Sequence, residues 1–229
     1  LLILVDFAEF NLALAGVAQR RGVPVLYYIS PQVWAWRRRR IHKIARRVDR
    51  LAVVFPFEAP LYAGSGARAE FVGHPLLDRV RATRSRAETC ARHGLDPAKR
   101  LIALLPGSRP KEIRLILPLM AEATARLLER GDVQCALALA GTLSRADIAA
   151  SMRGRALPAT VVEEDTYNLV HASELTLVAS GTATLETALL ERPMVIVYRV
   201  TALTYALARR LVSVPFIGMP NLIAGKAIV

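Results

Sequence analysis

The chain has 229 residues, of which 53% are hydrophobic, and its mean hydropathy of +0.32 excludes a disordered chain or an acidic tail. Its 31 lysines and arginines against 19 acidic residues give a net charge of +12, which favours nucleic acid, anionic lipid or phosphorylated substrates as partners. The sequence has no apolar run of the roughly 20 residues that a spanning helix needs, and its two cysteines form no metal-binding motif.

Short apolar runs alternate with longer amphipathic stretches at the start of the chain. The pattern predicts strands at 1–5, 24–29, 51–55 and 69–72, with helices at 11–21, 35–48 and 57–64 between them. This rhythm is typical of a parallel sheet with helices on both faces. Because the chain opens without methionine on an apolar run that reads as a buried strand, we expect an internal fragment whose first elements are missing.

The composition changes between residues 75 and 100, where strand-forming residues are few. A helix is predicted at 87–93, and the rhythm then restarts with strands at 101–105, 134–140, 160–162, 175–179 and 194–198. Helices are predicted between and after them at 113–130, 145–152, 166–172, 183–190 and 203–211. We therefore predict an α/β fold of two Rossmann-like lobes, residues 1–84 and 85–229, with the first lobe truncated.

A turn after the strand at 101–105 is a candidate for binding phosphate. It reads Pro106-Gly107-Ser108-Arg109 and falls at the carboxyl end of a strand, where doubly wound sheets bind their ligands. Gly107 permits a close backbone approach, Ser108 offers a hydroxyl, and Arg109 can donate to two phosphate oxygens. An ordinary turn with an exposed arginine remains the alternative.

A second turn, Ser180-Gly181-Thr182, stands between the strand at 175–179 and the following helix. Small residues there let free helix N–H groups face a ligand, and the helix dipole favours an anion. Ser180 or Thr182 could instead serve only as the helix N-cap. Glu186, one turn further on, could accept hydrogen bonds from a ribose or merely support the helix start.

Both turns follow strands of the same lobe, so we predict that they share one diphosphate site. The sequence contains no GxxxxGKS or GxxxxGKT loop, no GxGxxG fingerprint, no GxSxG elbow and no Asp-x-Asp pair. The predicted site therefore holds phosphate with arginine and backbone N–H groups, without a metal ion or a cofactor.

Three polar residues of the first lobe are candidates for substrate chemistry. Asp6 directly follows the first strand and could act as a general base, or could cap the next helix. Asn11, in the same VDFAEFN segment, and His74, in the Gly-His-Pro that ends a later strand, are candidate substrate contacts. A lone histidine is more often structural, so that alternative stays open for His74.

A segment rich in tryptophan and arginine, residues 30–50, carries much of the positive charge. Aromatic side chains beside arginines suit a lipid interface or a stacked base. A solvated helix face is the alternative for the arginines, and a core position is the alternative for the tryptophans. The candidate membrane contacts are Trp34, Trp36, Arg37, Arg38, Arg39 and Arg40.

Taken together, these segments resemble the lipid A disaccharide synthase family, which consists of two-lobed glycosyltransferases of the GT-B type. The resemblance spans essentially the whole chain in the family's order, and the SPQVWAW segment together with the SGT–Glu and PNLIAG pair makes it specific. The matching segments are VDFAEFN, YYISPQVWAWRRRRIHKI, FPFE, FVGHP, LLPGSR, ASGTATLE, PMVIVYR and PNLIAGK.

The resemblance implies that UDP-2,3-diacylglucosamine is joined to 2,3-diacylglucosamine 1-phosphate, with inversion at the anomeric centre and release of UDP. It implies Asp6 as the base on the acceptor hydroxyl, Glu186 near the uridine ribose and Asn221 near the donor. Arg109 and the Ser180–Thr182 turn would face the diphosphate, so that 85–229 is the UDP lobe and 1–84 the acceptor side. It also implies a cytoplasmic enzyme on the anionic inner membrane of a Gram-negative bacterium, with no nucleic-acid partner.

The sequence departs from the family at both ends. The family's glycine-rich N-terminal segment and the stretch after residue 229 are not in it, which leaves open whether this stretch is active alone. Another GT-B enzyme, a UDP-N-acetylglucosamine epimerase or the peptidoglycan transferase, is the alternative, although neither needs the SPQVWAW segment. A basic nucleic-acid-binding protein is the alternative from another class, but the sequence shows no recognised binding module.

Overall fold

The computed structural model describes residues 1–34, 38–201, 216 and 218–229. They belong to two compact units: the first includes Leu1–Leu77, and the second includes Asp78–Thr201 and the described residues from Phe216 to Val229. Each unit contains a parallel sheet whose strands alternate along the chain with helices. The predicted α/β class is therefore confirmed.

The sheet of the first unit has four parallel strands in sequential order. These strands are β1 (Leu2–Val5), β2 (Val25–Tyr28), β3 (Arg50–Val53) and β4 (Ala69–Phe71). The helices that follow them are α1 (Ala8–Arg20), α2 (Arg40–Ala45), α3 (Glu58–Leu61) and α4 (Leu76–Arg79). Because the strands are parallel, their carboxyl ends all lie at one edge of this sheet.

The first strand is less buried than its apolar sequence predicts. Leu4 is 3% exposed and packs in a core with Leu12 and Tyr27, whereas Ile3 and Val5 are 57% and 52% exposed. The reason is that β1 forms an edge of the sheet and its successive side chains point to opposite faces. Only one of those faces is covered by the described residues.

The sheet of the second unit has five parallel strands in the order β7-β6-β5-β8-β9. The strands are β5 (Arg100–Leu105), β6 (Val133–Leu139), β7 (Thr160–Glu163), β8 (Leu175–Ala179) and β9 (Met194–Val197). The helices are α5 (Arg86–His93), α6 (Pro110–Leu128), α7 (Arg145–Met152), α8 (Thr166–Ala172), α9 (Thr182–Leu189) and α10 (Met219–Ala224). The chain adds strands on one side of β5 first and then on the other, as in doubly wound folds.

The centre of the second sheet is buried on both faces. Residues 101–105 of β5 are all buried, and β6 is buried at every position except Gln134. Ile113 and Leu117 of α6 pack with this core and are at most 1% exposed. Uninterrupted apolar runs are typical of parallel strands that are covered by helices on both sides.

Several elements differ from their predicted bounds. α1 begins at Ala8, three residues early, because Phe7 takes a left-handed conformation as the N-cap residue. α6 begins at Pro110, whose fixed φ suits the first helical turn. Of the basic helix predicted at 35–48, α2 covers Arg40–Ala45, and residues 35–37 lie outside the described residues, as does the helix predicted at 203–211.

A buried polar network organises the start of the second unit around Asp165, which is 7% exposed. Its carboxylate accepts from Arg84 Nη1 at 2.8 Å and from Asn168 Nδ2 at 2.6 Å, and it lies 2.7 Å from His93 Nε2. Burial opposes ionisation of Asp165, but these hydrogen bonds and the Arg84 charge outweigh it and lower its pKa. Asp165 is therefore a carboxylate at neutral pH.

The same network locates the junction between the units. Asn168 Oδ1 accepts the backbone N–H groups of Thr83 at 2.7 Å and Arg84 at 2.9 Å. These bonds tie residues 83–84 to the second unit, which begins at Asp78 and not after residue 84 as the composition had indicated.

No helix in the described part of the chain is long and apolar enough to cross a membrane.

Replacing Asp165 with asparagine should lower the free energy of unfolding of the second unit. The expected loss at pH 7 is about 2 kcal/mol, because Arg84 and His93 would lose a charged acceptor in a mostly buried site. The folded-state pKa of Asp165 is lowered, so its contribution is present above the unfolded value of about 3.9 and is lost below it. The deficit should therefore persist when urea unfolding is repeated from pH 7 down to about pH 5, and it should shrink only as the pH falls below about 4.

The matched control is Asp132→Asn, which removes a carboxylate from an exposed ion pair with Arg100. Exposed ion pairs contribute little to the free energy of unfolding, so this variant should unfold like the unchanged chain at pH 7. Equal losses in the two variants would contradict a structural role for the buried network.

Candidate functional site

The carboxyl ends of four strands surround a cleft of about 960 Å³ in the second unit. It lies beside the β5–β8 pair, where the strand order reverses, and open α/β sheets bind their ligands at this switch point. Residues beyond the ends of β5, β6, β7 and β8 all contribute to its lining. Seven of the predicted binding residues line it: Gly107, Ser108, Arg109, Ser180, Gly181, Thr182 and Glu186.

The first turn of the cleft is shaped by Glu112, in the first turn of α6. Glu112 Oε2 accepts the backbone N–H of Ser108 at 3.1 Å, and its Oε1 lies 2.7 Å from Arg109 Nη1. Gly107 is left-handed at φ 120, and a Cβ on it would stand 2.8 Å from Glu112 Oε2. Thr142 Oγ1 donates to Ser108 O at 2.6 Å. Glycine is therefore required at position 107, both by the left-handed backbone angle and by the small space that Glu112 leaves.

This arrangement shows what the turn can bind. A backbone N–H and a guanidinium converge on one carboxylate, and those two donors are also the ones that suit a phosphate oxygen. Arg109 remains 77% exposed in its pair with Glu112, so its guanidinium is accessible from the cleft. Nothing in the sequence singles out Glu112, because an acid in a first helical turn is common.

The second turn presents a helix start to the cleft. The N-cap residue of α9 is Gly181 at φ 151, so neither Ser180 nor Thr182 is the N-cap, and that alternative is excluded. Thr184 Oγ1 donates to Gly181 O at 2.7 Å and braces the turn. With no side chain at the cap, the first N–H groups of α9 are available to an anion.

Glu186 is held from the opposite wall of the cleft. Tyr167 of α8 donates its hydroxyl to Glu186 Oε1 at 3.0 Å, and both side chains are half-buried. Burial first, and then the charge and hydrogen bond of Glu186, raise the pKa of Tyr167 to about 12. Tyr167 is therefore protonated at neutral pH and acts as a donor to Glu186.

The structure adds cleft residues that sequence reasoning missed. Besides Glu112 and Tyr167, they include Arg79 and Arg81 from the start of the unit and Glu164, which follows β7 with a left-handed φ of 54. The signal in the sequence for Arg79 and Arg81 is the density of arginines from residue 79 to 86.

Asn221 does not line this cleft among the described residues. It is 8% exposed, its Oδ1 accepts the N–H groups of Ile228 at 2.8 Å and Val229 at 3.1 Å, and its Nδ2 donates to Val229 O. Both polar atoms of the Asn221 side chain thus form hydrogen bonds with the backbone that follows α10. Its predicted contact with a donor stays a prediction that would require these bonds to be exchanged.

In the first unit, Asp6 stands in a strained turn at the carboxyl end of β1. Asp6 and Phe7 have left-handed φ values of 47 and 44, which cost energy for residues other than glycine. Asn11 Nδ2 donates to Val5 O at 2.9 Å and Asp6 O at 2.7 Å, and Tyr27 Oη donates to Asp6 O at 2.6 Å. The N-cap residue of α1 is Phe7, which excludes Asp6 as the cap.

The contacts around β1 give Asp6 and Asn11 different roles. The Asp6 side chain is exposed, while Asn11 is buried at 8% exposure with its amide nitrogen committed to the turn. Strained conformations persist where the surroundings hold them, and they cluster at functional sites. The geometry thus presents a carboxylate to solvent, and any contact of Asn11 with a substrate is left to its Oδ1.

Trp34 and His74 belong to an aromatic cluster in the first unit. Trp34 stands edge-on to Phe55 and Phe57, and its Nε1 donates to the buried Glu58 at 3.1 Å. His74 lies 5.2 Å from the Phe55 ring, its Nδ1 accepts from the Leu76 N–H, and burial lowers its pKa. Both residues remain half-buried, so their predicted contacts stay predictions.

The structure describes part of the basic segment, residues 30–50. Trp36 and Arg37 lie outside the described residues. Arg38 and Arg39 are exposed, whereas Arg40 begins α2 and forms an ion pair with Glu9. The described residues contain no cluster of three or more histidines, cysteines or acids that could hold a metal ion.

Comparison with known proteins identifies the family. The family model described as Lipid-A-disaccharide synthetase matches residues 1–229. The chain belongs to the lipid-A-disaccharide synthetase family. A lipid-A-disaccharide synthase of Geobacter sulfurreducens is 49% identical over 230 residues, which cover 100% of this chain and 60% of that protein. One of Nitrosococcus oceani is 44% identical, over 100% of this chain and 59% of the relative.

The chain thus spans about three fifths of the length of these family members. Two solved structures share its fold at low identity. Staphylococcus aureus MnaA with UDP has a TM-score of 0.59 and 13% identity, over 97% of this chain and 63% of that one. The UDP-GlcNAc 2-epimerase of Neisseria meningitidis bound to UDP-GlcNAc has a TM-score of 0.55 and 14% identity, over 97% and 66%. The likeness confirms the predicted GT-B class of Rossmann-like units.

Gly107→Ala should distort the first turn of this family member. The new Cβ meets Glu112 and the left-handed backbone becomes strained, so we expect a loss of about 1–3 kcal/mol in the free energy of unfolding. Binding of inorganic pyrophosphate, measured by calorimetry, should weaken because the Ser108 N–H and Arg109 move from their positions.

Gly141→Ala is the control, because Gly141 lines the same cleft and a Cβ there meets nothing within 4 Å. It should retain both stability and pyrophosphate binding. If both variants bind pyrophosphate as the unchanged chain does, the first turn is not part of a phosphate site.

Proposed function

We propose that this chain is the greater part of an inverting glycosyltransferase that joins UDP-2,3-diacylglucosamine to 2,3-diacylglucosamine 1-phosphate. The observation that carries the proposal is the cleft at the β5–β8 switch point, where two phosphate-type turns and Glu186 meet in a member of the lipid-A-disaccharide synthetase family. In this proposal the second unit holds UDP and the first unit serves the acceptor.

The proposed role of the second unit is to stabilise the leaving group, UDP. As the bond between the sugar and UDP breaks, negative charge grows on the diphosphate oxygens. Arg109 and the N–H groups of Gly181 and Thr182 would bind those oxygens, and preorganised donors lower the barrier because they need no rearrangement. In this scheme Glu112 releases Arg109 as the diphosphate takes its place, and Glu186 accepts from the ribose.

The acceptor hydroxyl is the second reacting group. Asp6 is proposed to remove its proton while that oxygen attacks the anomeric carbon from the side opposite UDP. One displacement inverts the carbon and passes through an oxocarbenium-like state. The exposed carboxylate and the strained turn that is held by Asn11 and Tyr27 support this role. His74 and Asn11 remain proposed substrate contacts.

Attachment to the anionic cytoplasmic face of a Gram-negative inner membrane is proposed for the basic segment. Acylated substrates reside there, and each lysine or arginine near such a surface adds about 1 kcal/mol. Arg38 and Arg39 are exposed in the first unit, which supports this part of the proposal. Trp34 has its polar edge bound to Glu58, so its contribution would come from the rest of the ring.

Two other functions explain fewer observations. An epimerase that acts on a UDP-sugar shares the fold, but the family match covers the whole chain and names a synthetase. A nucleic-acid-binding protein would account for the charge of +12, but it would not account for the cleft at the switch point.

Two-substrate turnover tests the catalytic proposal in the complete natural polypeptide. UDP release should require both UDP-diacylglucosamine and the monosaccharide 1-phosphate. In Asp6→Asn it should fall by about a hundredfold or more, because a general base contributes 10²–10⁴-fold. Asparagine tolerates left-handed φ, so this change removes the charge and keeps the turn.

Glu70→Gln, an exposed acid of β4 in the same unit, is the control and should keep full activity. Turnover of unacylated UDP-N-acetylglucosamine in the absence of an acceptor would support the epimerase instead. Full activity of Asp6→Asn would remove Asp6 from the mechanism.

The membrane proposal is tested by vesicle sedimentation. An Arg38→Gln, Arg39→Gln double variant should bind vesicles of anionic phospholipid about 30-fold more weakly, which corresponds to the loss of two charges at about 1 kcal/mol each. The control is Arg20→Gln, Arg21→Gln, which removes the same charge from the exposed end of α1. Equal loss in both double variants would show that net charge, and not this segment, drives binding.

A further inference from the structure

Tyr167 and Glu186 form a polar contact between two side chains that line the cleft. It joins α8 to α9, two helices that follow different strands, through a hydrogen bond of 3.0 Å. Both side chains line the same cavity. The bond is thus made inside the site.

Tyr167 occupies only one oxygen of the carboxylate. The phenol is protonated over the whole physiological range, because burial and the neighbouring Glu186 charge raise its pKa to about 12. Oε1 receives the bond, while no described residue donates a hydrogen bond to Oε2. Glu186 Oε2 is therefore left as an acceptor for a ligand in the cleft, and the hydrogen bond at Oε1 fixes the direction in which Oε2 points.

Fixing the carboxylate matters because a glutamate side chain has three rotatable torsions. A free carboxylate can turn to follow water or an alternative ligand, and ordering it on binding costs free energy. A site built to accept a hydrogen bond from a hydroxyl also rejects an analogue that lacks it, since the buried acceptor is then unpaired. That rejection is strong only when the acceptor cannot turn away.

We propose that Tyr167 is a positioning residue that enables Glu186 to select a ribonucleotide over a 2′-deoxyribonucleotide. The inference rests on the proposed function, because it takes the ligand of the cleft to be UDP with Glu186 at its ribose. Tyr167 itself acts through Glu186 and touches neither the phosphates nor the reacting atoms.

The test compares the affinities of UDP and 2′-deoxy-UDP by calorimetry. The unchanged chain should prefer UDP by about 10- to 100-fold, as expected for a hydrogen bond to a charged group. Tyr167→Phe should reduce that preference by roughly fivefold, mainly through weaker UDP binding, while the affinity for 2′-deoxy-UDP changes little. Tyr198→Phe is the control, because Tyr198 is 53% exposed in the same unit and does not line the cleft.

A double-mutant cycle separates positioning from direct contact. In a Glu186→Ala background, Tyr167→Phe should have no further effect on the preference, because the group through which Tyr167 acts is gone. Glu186→Gln provides a second variant that keeps an acceptor for Tyr167. It should lose the preference, because its amide nitrogen then faces the sugar.

The outcomes are distinct. Failure of the unchanged chain to bind UDP would overturn the proposed function itself. UDP binding with an undiminished preference in Tyr167→Phe would overturn the inference alone. Equal weakening of both nucleotides in a Tyr167→Phe protein with an unchanged unfolding midpoint would also overturn it, since that result marks a direct or general role.

Discussion

β5 and β8 are hydrogen-bonded side by side in the second unit, with Leu105 paired to Val178. This register brings the last residues of both strands to the same edge, so the turns that follow them open next to each other. Because the strands added after β5 lie on one side and those after β8 on the other, the two connections diverge and leave a gap. The cleft is a consequence of that pairing, and every residue assigned to it depends on it.

Three acids that line the cleft are each matched with a donor. Glu112 holds the first turn through Ser108 and Arg109, Glu186 is held by Tyr167, and Asp165 forms an ion pair with Arg84 and lies within hydrogen-bond distance of His93. A carboxylate without such a partner would repel an anionic ligand. Because these acids are paired, they would repel an anionic ligand less strongly. The pairing also fixes the orientation of the side chains before a ligand binds.

The strand ends were predictable because apolar runs stop at Gly107 and Gly181, and parallel topology then places these turns together. Side-chain partners were not predictable, because the contact of Glu112 with Ser108 and that of Tyr167 with Glu186 depend on the folded path of the chain. Asn221 shows the same limit: its segment identifies a family, yet its side chain binds the backbone of residues 228–229 and does not face the cleft. The junction between the units moved for a similar reason, since Asn168 reaches back to residues 83–84.

The cleft gathers segments from Arg79 to Glu186, so no shorter stretch of the chain contains it. A ligand there can bind only the folded second unit, and its binding free energy therefore adds to the stability of the whole unit. At a hundred times its dissociation constant, a ligand would add about 2.7 kcal/mol. A bound ligand would in this way also protect the unit from proteolysis, because proteases cleave the unfolded chain.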